Sequence, residues 1–204
     1  MTHIDPQRPR AYRSELREGQ TEETRARILD ATMRVMATGL ASLSVPAVAR
    51  EAGVSVPTIY RHFRTKPELL AALYPHAARK TGLDAIADPR SLDELQPMIR
   101  ALMGRLDNLD DLSRAAMASP GASEVRHATM PTRLQRIRRL TDSIEPKLRK
   151  GDRDRITRLL AVLMTSSSLR MWRDHLGLSV DEVAEEIDWI VRAALFAINE
   201  RKAR

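Results

Sequence analysis

From residue 28 onward, apolar residues recur at intervals of three and four and nowhere at every second position, so the pattern predicts helices and no strands. Ile28, Leu29, Ala31, Val35 and Met36 mark a first helix over about 21–38. Two short helices follow between Ser44 and Lys66. Each opens on Ser-Val-Pro, at Ser44 and again at Ser55, where serine can cap a helix and proline's missing N–H falls among the unbonded first-turn donors. Between them, Ala49 permits close approach and Gly53 can take the positive φ that ends the first helix. This is the grammar of a helix-turn-helix. Thr65-Lys66-Pro67-Glu68 then opens another helix with capping-box spacing, running through Leu69, Leu70 and Leu73 to Pro75, which reads either as a hinge or as a helix end.

The segment 81–90 reads as a boundary, and beyond it the pattern predicts helices over 91–106, 108–119, 131–150 and 152–175, followed by a last one. Ser91 with Glu94 and Ser179 with Glu182 form capping boxes; Pro97 and Pro146 are expected to kink or split two of the helices, and 119–131 reads as a loop. The helix from Asp152 places Ile156, Leu159, Leu160, Leu163 and Ser167 on one face and Val162, Leu169 and Trp172 opposite. In the last helix Val183, Ile187, Ile190, Ala194 and Ile198 make one stripe, and Trp189, Ala193 and Phe196 a second. A surface helix normally has one apolar stripe. Two on consecutive helices predict a homodimer interface at Val162, Leu169, Trp172, Trp189, Ala193 and Phe196.

Composition narrows the classes. A 43% hydrophobic content over 204 residues supports a sizeable core, built from aliphatic residues and methionine because aromatics are only 3%. With no cysteine, disulfide scaffolds and thiolate metal sites are excluded. No window approaches the roughly 18 apolar residues of a membrane span and no secretory leader is evident, so the expected location is the cytoplasm, with no membrane partner. The net charge is +7, and the excess lies with the helix-turn-helix: residues 1–80 hold 13 Lys/Arg against 8 Asp/Glu, whereas 81–204 hold 21 against 19. A polyanion is the natural partner for that end. Residues 1–20, polar and arginine-bearing, are expected to be a disordered basic arm, either a solvated tail or a minor-groove arm.

The run AREAGVSVPTIYRHFRTKPELL, within about 24–73, resembles the DNA-binding domain of the TetR family of bacterial regulators. That resemblance implies an all-α chain with a three-helix DNA-binding head at 21–66, a connecting helix at 67–80 that transmits ligand state, and a helical ligand-binding and dimerisation body at 81–204. It also implies phosphate contacts from Arg25 and Arg27, and a four-helix dimer interface from the last two helices of each chain. Helix-turn-helix proteins put the N-terminal end of the second helix into the major groove. Val56, Pro57, Thr58 and Arg61 are therefore expected to face bases, and Ser44, Tyr60, His62 and Lys66 to help hold the backbone. Val56 and Pro57 depart from the polar residue and glycine often found in the family, leaving thymine-methyl contact as their alternative role.

No catalytic constellation, phosphate loop or metal-ligand spacing stands out, and no cofactor is expected. Arg133, Arg136, Arg138, Arg139 and Lys147 read as a solvated basic face. Met98, Leu102, Met103, Met117, Leu163, Met164 and Ser167 are expected to line an adaptable pocket for a small, largely apolar effector, methionine being well suited to irregular space. The resulting expectation is a ligand-responsive repressor, bound as a homodimer to a pseudo-palindromic double-stranded operator, and not an enzyme. Its alternatives are a DNA-binding regulator without a ligand and an all-α enzyme or carrier body.

Overall fold

The computed structural model describes residues 8–39 and 43–203, with side chains described over 18–39 and 43–201. Ten α-helices follow one another, and no strand occurs among the described residues. They are α1 (Arg8–Ala37), α2 (Val45–Ala52), α3 (Val56–His62), α4 (Lys66–Thr81), α5 (Leu95–Asp107), α6 (Asp111–Ala118), α7 (Ala122–Ile144), α8 (Lys150–Leu163), α9 (Ser166–Arg170) and α10 (Val180–Ala203). The all-α expectation holds.

In the head, α1 lies across α2 and α4, and its Ile28, Ala31 and Met33 meet Val48, Ile59, Phe63 and Leu69 in one apolar cluster. Leu43 plugs that cluster from the connector. Each large side chain fully buried there stabilises the head by about 1.5–3 kcal/mol relative to exposure. The cluster also takes in Ala116 of α6 and Ala122 of α7, so head and body share apolar packing. A second cluster fills the body, where α5 and α10 pack together through Leu95, Ile99, Met103, Val183, Ile187 and Val191.

Several helix boundaries depart from the sequence pattern. Residues 8–20 are the opening turns of α1 rather than a disordered arm, while 1–7 lie outside the described residues. Low hydrophobicity signalled disorder, but Glu, Arg, Gln and Leu in this segment are also strong helix formers. The expected loop 119–131 is mostly helix: α7 starts at Ala122 and runs through Pro131 to Ile144. Pro131 removes only one intrahelical N–H, and Val125, Ala128 and Thr129 on that turn are packed inward. Pro97 sits in the first turn of α5, where it is tolerated, and Pro146 lies in the turn after α7, so neither splits a helix. Pro75 ends nothing; α4 continues to Thr81 and stops at Gly82, φ +70°.

The helix expected over 152–175 breaks at Met164. Thr165 turns extended and caps α9 by accepting the Ser168 N–H at 2.9 Å, and a π-helical turn over Met171–His175 follows. Of the expected caps, Ser179 and Glu182 form a reciprocal box, with Oγ accepting the Glu182 N–H at 3.2 Å and the carboxylate accepting the Ser179 N–H at 2.7 Å. Ser44 and Ser91 make no side-chain cap bond.

Candidate functional site

The reading helix α3 is held in place by its ends. Gly53 adopts φ +64° and terminates α2, its N–H bonding the Arg50 carbonyl while the Val54 N–H reaches Ala49. At the start of α3, Ser55 Oγ accepts the Thr58 N–H at 3.2 Å and shares a 2.9 Å hydrogen bond with the Thr58 hydroxyl. Thr58 thus presents its hydroxyl already oriented by Ser55. At the other end the fully buried Phe63 donates its N–H to Ile59 at 2.8 Å. Between these anchors Pro57, Tyr60 and Arg61 are exposed and Thr58 and His62 half-buried, whereas Val56, an expected reader, is half-buried against the head cluster. Tyr60 stands 46% exposed, unusual for a large ring and consistent with a contact surface.

Two of the expected phosphate contacts have work inside the protein. The Arg25 guanidinium stacks 4.2 Å above the Phe63 ring and donates to the His62 carbonyl at 3.0 Å, bolting α1 to the end of α3. Such a cation–π contact adds about 0.5–1 kcal/mol where partly exposed. Lys66 Nζ lies 2.6 Å from Glu124 Oε2 on α7, and the same carboxylate accepts the Leu43 N–H at 3.3 Å through its other oxygen. The Lys66 bond holds the Glu124 pKa below its ordinary value, against burial, which pushes it up. Because this pKa is depressed, the link contributes stability above the ordinary carboxylate range and loses it as pH falls through the folded value. Arg27 is exposed on α1, and Ser44 half-buried at the start of α2. Burial, with Arg61 and Arg25 nearby and Glu22 opposing them, lowers the His62 pKa, so its ring is neutral at pH 7.

Behind the head lies a cavity of about 470 Å³, within the size range of small-molecule sites. Met33 and Met36 of α1 and Leu73 and Tyr74 of α4 form the wall toward the head; the 83–88 segment, α5, α6, α7, the end of α8 and the start of α9 form the rest. The expected Met98, Leu102, Met117, Met164 and Ser167 all line it. Met103 and Leu163 do not. Met103 is turned one residue further round α5 and is fully buried against the body core, and Leu163 packs into the same core.

Sequence reasoning missed Tyr74 and the arginines of this wall. Arg133, expected on a solvated face, turns inward and donates from Nη2 to the Met164 and Ala161 carbonyls at 2.7 and 3.4 Å, capping the end of α8. Burial lowers its pKa, from an ordinary value high enough that the group stays cationic. Its partners lie 28 and 31 residues away, so no local pattern announces the inward turn. Arg136 pairs with Asp88 at 3.1 Å. His76 Nε2 and Lys80 Nζ both reach Asp30 Oδ1 at 2.9 Å, tying α4 to α1 just behind the cavity. Burial raises the Asp30 pKa, but these two hydrogen bonds together with the charges of Lys80 and His76 outweigh it and the net shift is downward.

The far side of the body carries an apolar face. Val162, Trp189 and Phe196 are 68%, 67% and 67% exposed, with the exposed Ala193 between the two rings on α10. Leu169 does not belong to this face: it is 3% exposed and packed in the monomer core, because the break at Met164 rotates α9 relative to α8. Trp172 is half-buried, its indole N–H donating to Ser168 Oγ at 3.1 Å.

Among the described residues no group of three or more His, Asp or Glu could hold a metal ion, and no helix is long and apolar enough to cross a membrane.

Comparison with known proteins agrees with the head. Residues 28–73 match the model described as bacterial regulatory proteins, tetR family. The chain is 37% identical over 70 residues to the HTH-type transcriptional regulator SrpR of Pseudomonas putida, a match covering 34% of this chain and 33% of that protein. It is 28% identical over 189 residues to the HTH-type transcriptional repressor KstR of Mycobacterium tuberculosis, covering 88% and 84%. A crystal structure of a tetR-family transcriptional regulator from Streptomyces coelicolor superposes with a TM-score of 0.49 at 17% identity, covering 88% and 83%. With the helix-turn-helix geometry of α2 and α3, residues 28–73 form a head of the tetR type, and the chain is similar there to bacterial transcriptional regulators.

Proposed function

We propose that this regulator is an effector-released repressor that binds a pseudo-palindromic operator as a homodimer. The observation that carries the reading is the course of α7. Its first turn holds Glu124 on Lys66, at the start of the helix leaving the reading unit, and two turns later it lines the cavity with Thr129 and Arg133. A ligand that displaces α7 or α4 therefore alters the seat of the head. By linkage, its differential affinity for the DNA-competent and DNA-incompetent arrangements sets the size of the response. A dimer built on the α8–α10 face presents two reading helices to successive major grooves, about 34–36 Å apart.

The direct test selects genomic fragments with purified protein, then measures binding to them with and without compounds that raise the melting temperature in a screen of hydrophobic metabolites. Equal operator affinity for free and ligand-bound protein would sink the effector-released reading. Failure to enrich any fragment would sink the operator.

Two expectations concern the charges. Glu124→Gln releases the Lys66 ammonium, so operator affinity should rise at low salt by up to about tenfold. The slope of log K against log salt should steepen by about 0.9 per half-site, one extra phosphate contact each. The stability cost should stay within about 1 kcal/mol, since the pair is partly exposed. For His62, a phosphate reverses the arginine effect and favours the imidazolium. Operator affinity should therefore increase from pH 7.5 to 6, and His62→Gln should flatten that dependence. Stability moves the opposite way: the unfolded imidazole takes its proton first, near pH 6.5, so acid weakens the fold while strengthening the complex. Fluorescence anisotropy across pH checks the first and thermal melts the second.

A further inference from the structure

We propose that the cavity takes an amphiphile with an apolar body and an anionic head group, the head seated on Arg133. This rests on the effector-binding reading and names the chemistry that reading leaves open. The cavity wall is mostly aliphatic and methionine, and the charged residues lining it are Asp88, Arg126, Arg133 and Arg136. Arg136 answers Asp88. Among the described residues two guanidinium groups pair with no carboxylate. Arg126 is exposed and reaches the Met117 carbonyl at 3.5 Å. Arg133 is half-buried, and among the described residues its partners are two backbone carbonyls bonded through Nη2 alone.

A half-buried cation gives up part of its hydration, and carbonyl dipoles supply only part of a counter-charge. Capping α8 accounts for Nη2, since the last carbonyls of a helix attract cations. It does not account for Nε and Nη1, which remain to donate and which suit the paired oxygens of a carboxylate or phosphate. A neutral hydrophobe would displace solvent from these nitrogens without answering the charge, and an ammonium head would be repelled. The phenol of Tyr74, on α4, which packs against α7, offers a further donor.

The experiment uses four probes with one alkyl chain, all below their micelle concentrations: decanoate, decyl phosphate, decanol and decylamine. Calorimetry on the full-length protein should show both anions binding at least about tenfold more tightly than decanol, and decylamine weakest, as expected for one charge-assisted hydrogen-bonded pair. The tighter of the two anions identifies the head group, and either supports the proposal. Arg133→Gln should weaken the anions by at least about tenfold while leaving decanol unchanged, and Arg133→Lys should keep part of the preference. Should Arg133→Gln misfold, the ranking of the four probes on the unaltered protein decides alone. Decanol binding as well as decanoate, or no probe binding at all, overturns the proposal. Anions that bind as expected yet leave operator affinity unchanged would uphold the ligand chemistry and reject effector release.

Discussion

The proposed dimer is expected to fall to a folded monomer when Trp189→Glu is combined with Phe196→Glu. Both rings are two-thirds exposed, so the exchange removes little from the monomer's own packing, and helix content and melting temperature should hardly change. Their surroundings explain why they would matter to a partner. Val162 extends the face onto α8, and the exposed Ala193, lying between the rings, lets a facing helix come close. In a two-fold interface each residue occurs twice, so two substitutions alter four positions and place like charges opposite one another. Aromatic residues near an interface centre typically cost 2 kcal/mol or more when truncated. Dimerisation should therefore weaken by about three orders of magnitude or more. Analytical ultracentrifugation reads the mass directly. Operator affinity should fall by at least about 100-fold, because one head loses the tether that raises the local concentration of the second. A double variant that stays dimeric would place the interface elsewhere, and an unaltered protein that sediments as a monomer at micromolar concentration would reject the dimer.

What the chain discloses locally and what it hides divide along a physical line. The turn between α2 and α3 was legible because every requirement is met within a few residues: a glycine where φ is +64°, serine and threonine where caps are needed, prolines in first turns. The apolar face on α10 was legible for the same reason, since a helix records its faces in its own spacing. Elements stabilised by distant groups were not. Pro131 reads as a breaker, yet α7 runs through it because the packed turns on either side hold the helix. Arg133 reads as surface charge until the carbonyls of α8 and the cavity wall come up to it. Met103 and Leu102 are neighbours in sequence, but 100° of helical rotation sends one to α10 and the other to the cavity. Lys66 and Glu124 are 58 positions apart, and nothing in the sequence pattern around either names the other.

Phe63→Ala is expected to be the most damaging single substitution in the head. The ring is fully buried at the close of the reading helix, and its loss removes both apolar burial and the surface on which Arg25 stacks. Emptying a well-packed aromatic site costs about 3–5 kcal/mol. For a chain of this size each kcal/mol lowers the melting temperature by roughly 2–4 °C, so a drop of about 6–20 °C should be seen by circular dichroism. Stability alone does not separate the ring's two duties. Phe63→Leu does, because leucine keeps most of the apolar volume while abolishing the cation–π contact, and its stability cost should be well below that of alanine. Arg25 would then keep its bond to the His62 carbonyl but lose the platform that fixes its direction. If that platform positions the end of α3, Phe63→Leu and Arg25→Ala should weaken specific operator binding by similar factors, and the double variant by little more than either alone, as expected for residues acting as a unit. Additive losses would show instead that Arg25 meets the DNA on its own account, as the family resemblance had implied, and that Phe63 serves only the core.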